Sequence, residues 1–464
     1  MRAIKISVEP FEFLSFIELE CRKELNQHGA IQITGLIRQE NEQEYMNLAA
    51  RETWVSVKVI SETGEKKHFF DGILVGLRVK KEYQVSILTI EVKTGTFLLD
   101  IEPHIRSFQD GGLRYADLVC TCMENVSGHC IMLDKENEST QRFLMQYNET
   151  DWEFIKRIAS YVGTVIMPEE TTYGKKFYFG YHEKTALSEI QSETYQMEQN
   201  CETYRKWAKE GVKDFTVADS VSYVLHTREI YSLGESVHFK GQDLVIGKIT
   251  SWLKGQELYN EYQLISKENG LIPIMYNSKI SGVSLKANVM AVEKTMVQVK
   301  IQEDENKENC KSCWLDYATV YSTPDGTGWY CMPEIGDEVR VVFPDKDENN
   351  VYVASSVHVG AAGGRTNPEE KSWKNKQNKE ILFTPDSIIM RNNNGLVLEM
   401  SDQNGIKMSS NKDISVHADG DIQIRSKSAG VHMSAENNII MQQGAAKIQM
   451  DETININGGK IYMN

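Results

Sequence analysis

The chain has 464 residues, of which 41% are hydrophobic and 25% charged, a composition that indicates a folded globular protein with about two to four domains. Its formal net charge of -15 repels phosphates and anionic lipids, which excludes nucleic-acid or membrane-surface binding driven by bulk charge. The N-terminus lacks an apolar signal-peptide core, and no apolar run approaches the ~18–20 residues of a membrane helix, so we expect a protein retained in the cytoplasm without a stable membrane anchor.

The cysteines do not indicate a disulfide scaffold. Eight cysteines in 464 residues is a low density, and a chain without an export signal is expected to keep its thiols reduced. Cys310 and Cys313 have the spacing of half a zinc site, with Cys331 as a candidate third ligand, but a structural zinc site needs four ligands. We therefore expect no metal and no other cofactor.

Residues 1–275 are predicted to form a strand-dominated domain with an α/β insertion. Segments 54–60, 72–79 and 85–92 are rich in β-branched residues, and strands resume at 174–182 and 235–266. Between them, segments 113–126 and 149–163 have apolar residues at helical spacing. This pattern predicts an insertion at about residues 103–180.

The second helical segment carries its own start and stop signals. Thr150 and Glu153 have the spacing of a capping box, and Gly163 suits the position after the last turn. Asp151, Glu153 and Arg157 are candidates for an acid/base group. Glu153 and Arg157 are i, i+4 neighbours, however, and an exposed pair at that spacing contributes only a few tenths of a kcal/mol. We interpret these residues as structural, with Glu153 and Arg157 forming an exposed pair.

Residues 276–360 are predicted to form a small closed barrel. Short strands separated by tight turns lie at 282–290, 296–302, 314–320, 337–343 and 351–357. Five strands in about eighty residues suit a Greek-key barrel of the OB type. Residues 361–380 are polar and charged and contain a Gly pair and a Pro, which is typical of a linker.

Residues 314–360 carry a resemblance to a known family. The stretch GWYCMPEIGDEV (328–339) resembles the barrel signature of VgrG spike proteins and phage baseplate hubs. The residues that carry the match, which we interpret as fold-forming, are Gly328, Trp329, Pro333, Gly336 and Asp337. Segments 149–163 and 245–264 are similar to a helix and a closing strand pair of the family's hub domain. The resemblance implies a hub of tail-tube-like β-barrels over 1–275, the OB barrel over 276–360 and a spike over 381–464.

The spike segment contains a repeat of about eight residues. Pairs of apolar residues separated by one spacer begin at Ile388 and recur to the end of the chain, ten pairs in all. Alternation inside each pair predicts a short strand with one buried face. The Ser, Asn, Asp and Gly residues between the pairs are typical of corners.

Two architectures fit this repeat: one chain coiled as a triangular solenoid, or three chains wound together. A single chain rises about 4.8 Å per triangular turn, so about three turns would give a stub roughly 15 Å tall with open edges. Three interwoven chains would give a needle of roughly 45–50 Å with every strand paired between chains. The three-chain needle is favoured, and the family's spikes, which are trimeric, agree with it.

The repeat predicts which residues form the needle core and which form the docking face at its tip. The predicted trimer core of the needle consists of Ile406, Met408, Ile414, Val416, Ile422, Ile424, Val431, Met433, Ile439, Met441, Ile448 and Met450. The predicted tip-docking set consists of Ile454, Ile456, Ile461 and Met463. Strand edges and apolar side chains at such a face favour a partner, and the resemblance implies a separate cap protein of the PAAR type.

The predicted fold class is mainly β, with a phage-hub-like β-barrel domain, an α/β insertion, an OB-fold barrel and a C-terminal intertwined trimeric β-helix needle. The resemblance also implies two related barrels, residues 1–100 and 180–270, that present a pseudo-six-fold ring to a tail tube. It implies a homotrimeric central spike of a contractile injection system, type VI secretion-like or phage-tail-like. Such a spike joins the tail tube to a membrane-piercing tip, contacts tube and baseplate proteins and helps carry effectors or their adaptors.

The resemblance therefore predicts a non-enzymatic spike that is cytoplasmic until it is assembled into the particle and is delivered on contraction. The alternative is a spike with peptidoglycan- or carbohydrate-directed enzymatic activity. Against that alternative, the linker at 361–380 and a chain that ends on the last repeat leave no slot for a catalytic domain.

Overall fold

The computed structural model describes residues 5–60, 64–124, 126–181, 188–190, 192–210, 215–255, 257–306, 308, 311–355, 367–457, 459–460 and 462. The chain divides into two compact units, Met1–Val357 and His358–Asn464, and each is described by itself. The described residues of the first unit contain short 3-10 turns at Gln39–Asn41, Gly95–Leu99, Ala218–Ser220, Glu268–Gly270, Ser278–Ile280 and Glu348–Asn350.

Six strands near the N-terminus form the first module of a large sheet. Buried and exposed residues alternate along them, so that one face covers an apolar core that includes Ile33, Val57 and Ile90. The elements are β1 Lys5–Glu9, β2 Ser15–Glu24, β3 Ala30–Ile37, α1 Glu42–Leu48, β4 Trp54–Ile60, β5 Lys66–Glu82 and β6 Val85–Lys93.

Two helices and two small sheets follow, with an apolar core of their own. β7 pairs with β9, and β10, β11 and β8 form a three-stranded sheet. The elements are β7 Pro103–Phe108, α2 Tyr115–Glu124, β8 His129–Met132, β9 Leu144–Thr150, α3 Asp151–Val162, β10 Ile166–Pro168 and β11 Lys176–Phe179.

The predicted caps of α3 are confirmed. The Thr150 hydroxyl accepts a hydrogen bond from the Glu153 amide at 3.1 Å, and the Glu153 carboxylate accepts one from the Thr150 amide at 3.1 Å. Gly163 adopts a left-handed conformation, with φ of 66°, which ends the helix at little steric cost because glycine lacks a Cβ. Phe154, Ile155 and Ile158, which lie on the apolar face of α3, are fully buried.

A second module of six strands completes the large sheet. It has its own core, which includes Leu225, Ile249 and Leu264. The elements are β12 Ser188–Glu189, β13 Tyr195–Gln199, α4 Cys201–Glu210, β14 Val221–Thr227, β15 Ser236–Phe239, β16 Gln242–Lys254 and β17 Glu257–Ile265.

The two modules pair their strands in the same order. In the first, the order is β1-β4-β5-β6-β3-β2, and in the second it is β12-β15-β16-β17-β14-β13. Both modules also have a β-bulge at the same place. The register of β5 against β6 shifts between Leu74 and Gly76, and that of β16 against β17 shifts between Ile246 and Lys248. The modules differ in that β12 runs parallel to β15, whereas β1 runs antiparallel to β4. β2 pairs with β16, which joins the modules into one twelve-stranded sheet.

The remaining strands of the first unit form a closed five-stranded barrel with the sheet order β20-β19-β18-β21-β22. A parallel bridge from Tyr317 to Val353 joins the two ends of the sheet, which gives the connectivity of an OB fold. Its core includes Val299, Val341 and Phe343, all fully buried. The strands are β18 Ser284–Glu293, β19 Met296–Ile301, β20 Leu315–Asp316, β21 Glu338–Val342 and β22 Tyr352–Ala354.

The second unit contains two antiparallel meanders, β23 to β27 and β28 to β30. The strands are β23 Lys371–Lys374, β24 Glu380–Phe383, β25 Ser387–Arg391, β26 Val397–Ser401, β27 Gly405–Ser409, β28 Ile439–Gln443, β29 Ala446–Met450 and β30 Ile454–Asn457. β23 lies inside the segment predicted as a linker, because Trp373 and its neighbours pair with β24.

The meanders differ from the expectation that every needle strand pairs between chains. Successive strands here are neighbours within one chain, since tight turns return the backbone onto itself. Gly395 and Gly444 adopt positive φ values of 76° and 56° in two of these turns, a conformation that glycine adopts readily.

Candidate assembly interface

Most of the predicted needle core is exposed in the single chain. Ile424 is 74% exposed and Met408 is 59% exposed. The other exposed members of the set are Ile406, Ile414, Val416, Ile422, Val431, Met433, Met441 and Ile448, while Ile439 and Met450 are half-buried. A continuous series of exposed apolar side chains marks a surface that another molecule covers.

The backbone between the two meanders has no strand partner among the residues that the structure describes. Residues 410–438 are all described, yet they contain no strand and make no backbone-to-backbone hydrogen bond with another described residue. Their hydrogen bonds are local turns, such as the Lys412 amide with the Ser410 hydroxyl at 3.0 Å and the Ala429 amide with the Ser426 hydroxyl at 3.1 Å. The segment has the alternation of apolar and polar residues that is typical of strands. Its backbone N–H and C=O groups are unpaired among the described residues, and strands added alongside would satisfy them.

An apolar groove of about 740 Å³ lies on the first meander. Its lining includes Ile381, Met390, Leu398 and Ile414. The groove is therefore lined both by the first meander, β23 to β27, and by the first repeat of the unpaired segment, which contains Ile414.

The tip set is described only in part. Ile454 lies in β30 and is 70% exposed. Ile456 belongs to the same strand and pairs with Ile448. Ile461 and Met463 lie outside the described residues.

The barrel signature forms two turns. Gly328 has a φ of 141°, and a Cβ on it would lie 2.4 Å from the Tyr321 carbonyl oxygen, so this hairpin requires glycine. The second turn lies just before β21. Gly336 has a φ of 93° there, and the Asp337 carboxylate accepts a hydrogen bond from the Glu334 amide at 2.8 Å.

The two other signature residues differ in burial. The Trp329 ring is 58% exposed, and Pro333 is buried. The geometry of the two turns agrees with a fold-forming role for the signature.

Arg157 lies at a buried junction between α3 and the OB barrel. Its side chain is 1% exposed, its Nη2 lies 2.6 Å from Glu149 Oε2, and its Nη1 lies 2.9 Å from Glu348 Oε1. Nη2 also donates to the Met145 carbonyl at 2.9 Å, and the Met145 amide donates to Glu348 Oε1 at 2.9 Å. Carboxylates from two separate parts of the fold thus clamp one guanidinium.

Burial and charge oppose each other in this clamp. Removal from water raises the pKa of Glu149 and of Glu348, and Arg157 counteracts the rise. For Arg157, burial alone lowers the pKa, but Glu348 and Glu149 raise it above its ordinary value. The guanidinium therefore stays charged and needs its carboxylate partners.

A second cluster joins the same two parts of the fold. Arg106 is fully buried, with Nη1 2.6 Å from Asp151 Oδ1 and Nε 3.2 Å from Glu305 Oε2. The Ser107 amide donates to Asp304 Oδ1 at 2.9 Å, and burial raises the pKa of Asp304. Because Asp304 and Glu305 follow β19, these contacts fix the barrel against β7 and α3.

The predicted exposed pair of Glu153 and Arg157 is wrong. Arg157 points into the junction, while Glu153 caps the helix and lies 3.2 Å from Lys279 Nζ. The partners of Arg157 are Glu149 and Glu348, neither of which was predicted from the sequence. No local signal marks Glu348, because it lies 191 residues further along the chain.

Three further findings bear on metal binding and membranes. Within the described part of the chain, no three His, Cys, Asp or Glu residues form a group that could hold a metal ion. Cys313 is half-buried with its Sγ 4.0 Å from Gln109 Oε1, Cys331 is exposed, and Cys310 lies outside the described residues. No described helix has both the length and the apolar character needed to cross a membrane.

Comparison with known proteins identifies the barrel and the architecture. Residues 285–358 match the family model of the type VI secretion system/phage-baseplate injector OB domain. No curated protein matches the chain.

Among solved structures, the chain is similar to the E. coli c3393 protein, described as a component of the type VI secretion system with structural similarity to the T4 bacteriophage tail proteins gp27 and gp5. The TM-score is 0.53 at 12% identity, over 76% of this chain and 100% of that one. It is also similar to a chain of the half-lidded Francisella PdpA-VgrG complex, with a TM-score of 0.59 at 9% identity over 88% of each chain. The lidless form of that complex gives 0.58 at 9% identity, over 88% of this chain and 98% of that one.

At these identities the structural likeness establishes the fold, and it confirms the mainly β fold class and the predicted resemblance. The chain therefore has the fold of the VgrG and phage baseplate hub and spike proteins, and its residues 285–358 are an OB domain of the type VI secretion system/phage-baseplate injector family.

Proposed function

We propose that the chain is the central spike of a contractile injection system and works as a homotrimer. The observation that carries this proposal is the stretch 410–438, in which apolar pairs at strand spacing are exposed and the backbone has no strand partner among the described residues. Two further copies supply both missing elements, since winding three chains together buries the pairs around one axis and pairs the strand edges. The fold shared with hub and spike proteins supports the same assignment.

The role is mechanical. We propose a hub over residues 1–275, an OB barrel over 276–360 and a needle that begins near residue 371, with the segment before it acting as a linker. The buried clusters at Arg157 and Arg106 support a rigid connection between insertion and barrel, because charges removed from water tolerate few alternative geometries. Their carboxylates are held in ion pairs or, for Asp304, in hydrogen bonds, which favours a structural over an enzymatic role.

The proposed partners follow from the same surfaces. The hub contacts the tail tube and baseplate, and effectors or adaptors are carried with the spike. A PAAR-type cap binds the tip set, where Ile454 is exposed in β30. The protein is cytoplasmic until it enters the particle, and contraction then delivers it.

Variants in one repeat test this proposal in the source cell. Ile422→Asp combined with Ile424→Asp places two carboxylates on the proposed trimer axis, whereas Gln423→Asp places one on the outward position of the same repeat. In a strain lacking the native gene, we expect the control to restore contractile particles, seen by electron microscopy of sheared cells, and the double variant to restore none. Normal particles with the double variant would overturn the proposal.

A further inference from the structure

A hairpin between β20 and β21 exposes aromatic side chains on the OB barrel. Ser322 and Gly328 form its bridge, and the Trp329 amide donates to the Tyr321 carbonyl at 2.8 Å. Tyr321 and Trp329 therefore lie opposite each other, and opposite residues of an antiparallel pair project from the same face. Their side chains are 49% and 58% exposed, respectively. We call residues 319–330 the aromatic hairpin.

Hydrogen bonds hold the aromatic hairpin in place. The Thr319 hydroxyl donates to the Trp329 carbonyl at 3.1 Å, so both backbone groups of Trp329 are fixed. Tyr330 is 71% exposed, yet its hydroxyl donates to the Lys294 carbonyl at 3.0 Å, in the turn between β18 and β19. Aromatic rings that are already positioned lose little conformational freedom when a ligand binds. These contacts therefore prepare the hairpin for a ligand.

The hairpin lies where OB folds bind their ligands. Oligonucleotides and oligosaccharides bind to the second and third strands of an OB fold and to adjoining loops, one of which joins the first two strands. In this barrel the second and third strands are β19 and β20, and the aromatic hairpin follows β20. The hydrogen bond from Tyr330 to Lys294 connects the hairpin to the loop between the first two strands.

The charge of this region decides between the two classes of ligand. Residues 314–338 contain five carboxylates and no lysine or arginine; the five are Asp316, Asp325, Glu334, Asp337 and Glu338. A nucleic acid binds through cations that neutralise its phosphates, and the same holds for other polyanions. An uncharged oligosaccharide needs no cation, so the charge favours the sugar.

The groups that the hairpin exposes suit an uncharged sugar. The faces of the Tyr321 and Trp329 rings are electron-rich, and the C–H groups on the flat side of a sugar ring stack against such faces. Sugar hydroxyls need hydrogen-bond partners beside the stacked rings. The same hairpin supplies the exposed Thr319, Asp325 and Thr327 for this purpose.

We infer that the aromatic hairpin binds an uncharged oligosaccharide, with Tyr321 and Trp329 stacked on its sugar rings. The inference goes beyond the proposed function, because a spike can assemble and transmit force without a carbohydrate ligand. It also differs from the enzymatic alternative, because the sugar is held and no bond in it is cleaved. In an envelope-piercing particle, such a site holds sugar chains of the envelope against the barrel.

Isothermal titration calorimetry of the full-length chain with the N-acetylglucosamine hexamer, an uncharged oligosaccharide, tests this site. We expect saturable binding, which Trp329→Ala and Tyr321→Ala should each weaken by about tenfold or more, since each removes one stacked ring. Trp329→Phe keeps an aromatic face and should retain most of the affinity. The matched control is Trp373→Ala, because Trp373 is also 58% exposed but lies in the second unit, and its affinity should be unchanged. An anionic heparin hexasaccharide should not bind.

The outcomes separate this inference from the proposed function. The inference fails if no saturable binding occurs up to about 10 mM sugar, if all variants bind equally, or if the heparin fragment binds as well. A chain that sediments as a trimer and binds no sugar would contradict the inference and leave the spike assignment standing, whereas a monomer that binds the sugar would do the reverse. Thermal unfolding of each variant separates lost binding from lost folding, and Tyr321→Ala carries the test if Trp329→Ala does not fold.

Discussion

Replacing Arg157 by Met should be the most damaging single change at the junction between insertion and barrel. Methionine retains most of the apolar stem but removes the charge that Glu149 and Glu348 share. Both carboxylates are nearly inaccessible to solvent, at 5% and 2% exposure. Breaking a buried ion pair by removing one partner costs about 3–5 kcal/mol, because the remaining charge stays buried and uncompensated. We expect a loss of at least that order, since two carboxylates lose their partner here.

Thermal unfolding of the full chain, combined with hydrogen exchange of α3 and the barrel strands, measures this effect. At about 2–4 °C per kcal/mol, the transition of the first unit should move down by at least about 5 °C, with faster exchange on both sides of the junction. The control is Arg114→Met, which removes an exposed pair with Asp117 at 2.6 Å and should change stability by no more than about 0.5 kcal/mol. Equal transitions for the two variants would refute the clamp.

Three further predictions concern pH, the barrel turn and the tip. Burial raises the pKa of Glu149 and Glu348 above the ordinary value of 4.5, and Arg157 counteracts the rise. Stability from a raised folded pKa is present at low pH and is lost as the pH rises through that pKa. Removing Arg157 should raise both pKa values further, so the unpaired carboxylates take up protons as the pH falls towards 4.5. The Tm deficit of Arg157→Met relative to Arg114→Met should therefore shrink as the pH is lowered, and a constant deficit would contradict this. Gly328→Ala should cost about 1–3 kcal/mol, measured by chemical denaturation, whereas Gly111→Ala, whose Cβ would meet its nearest atoms at 3.6 Å, an ordinary contact distance, should be close to neutral. Ile456→Asp with Ile461→Asp should abolish binding of a co-expressed cap protein in pull-down assays and leave the trimer assembled, and unchanged cap binding would contradict the tip assignment.

Local signals in the sequence were sufficient for much of the fold. The caps of α3 depend on Thr150, Glu153 and Gly163, which are close together in the chain, and the five barrel strands show the alternation that burial on one face requires. Helix α4 was not predicted, because its composition is polar and only tertiary packing buries Trp207.

The remaining features depend on contacts between distant residues. Glu348 reaches Arg157 only once the barrel has packed on α3, so the helix pattern alone indicated an exposed pair with Glu153. In the needle, the apolar repeat is compatible with a strand whose neighbour belongs to the same chain and with one whose neighbour belongs to another chain. In the meanders, turns such as the one at Gly444 place the next strand of the same chain alongside. No such turn pairs residues 410–438 within the described chain.

Sedimentation equilibrium of the full chain at micromolar concentration tests the central claim most directly. If three chains bury the exposed apolar repeats around a common axis, the protein should sediment as a single species of about three times the chain mass of 52.9 kDa, and this mass should not change on dilution. A stable monomer of 52.9 kDa would contradict the account.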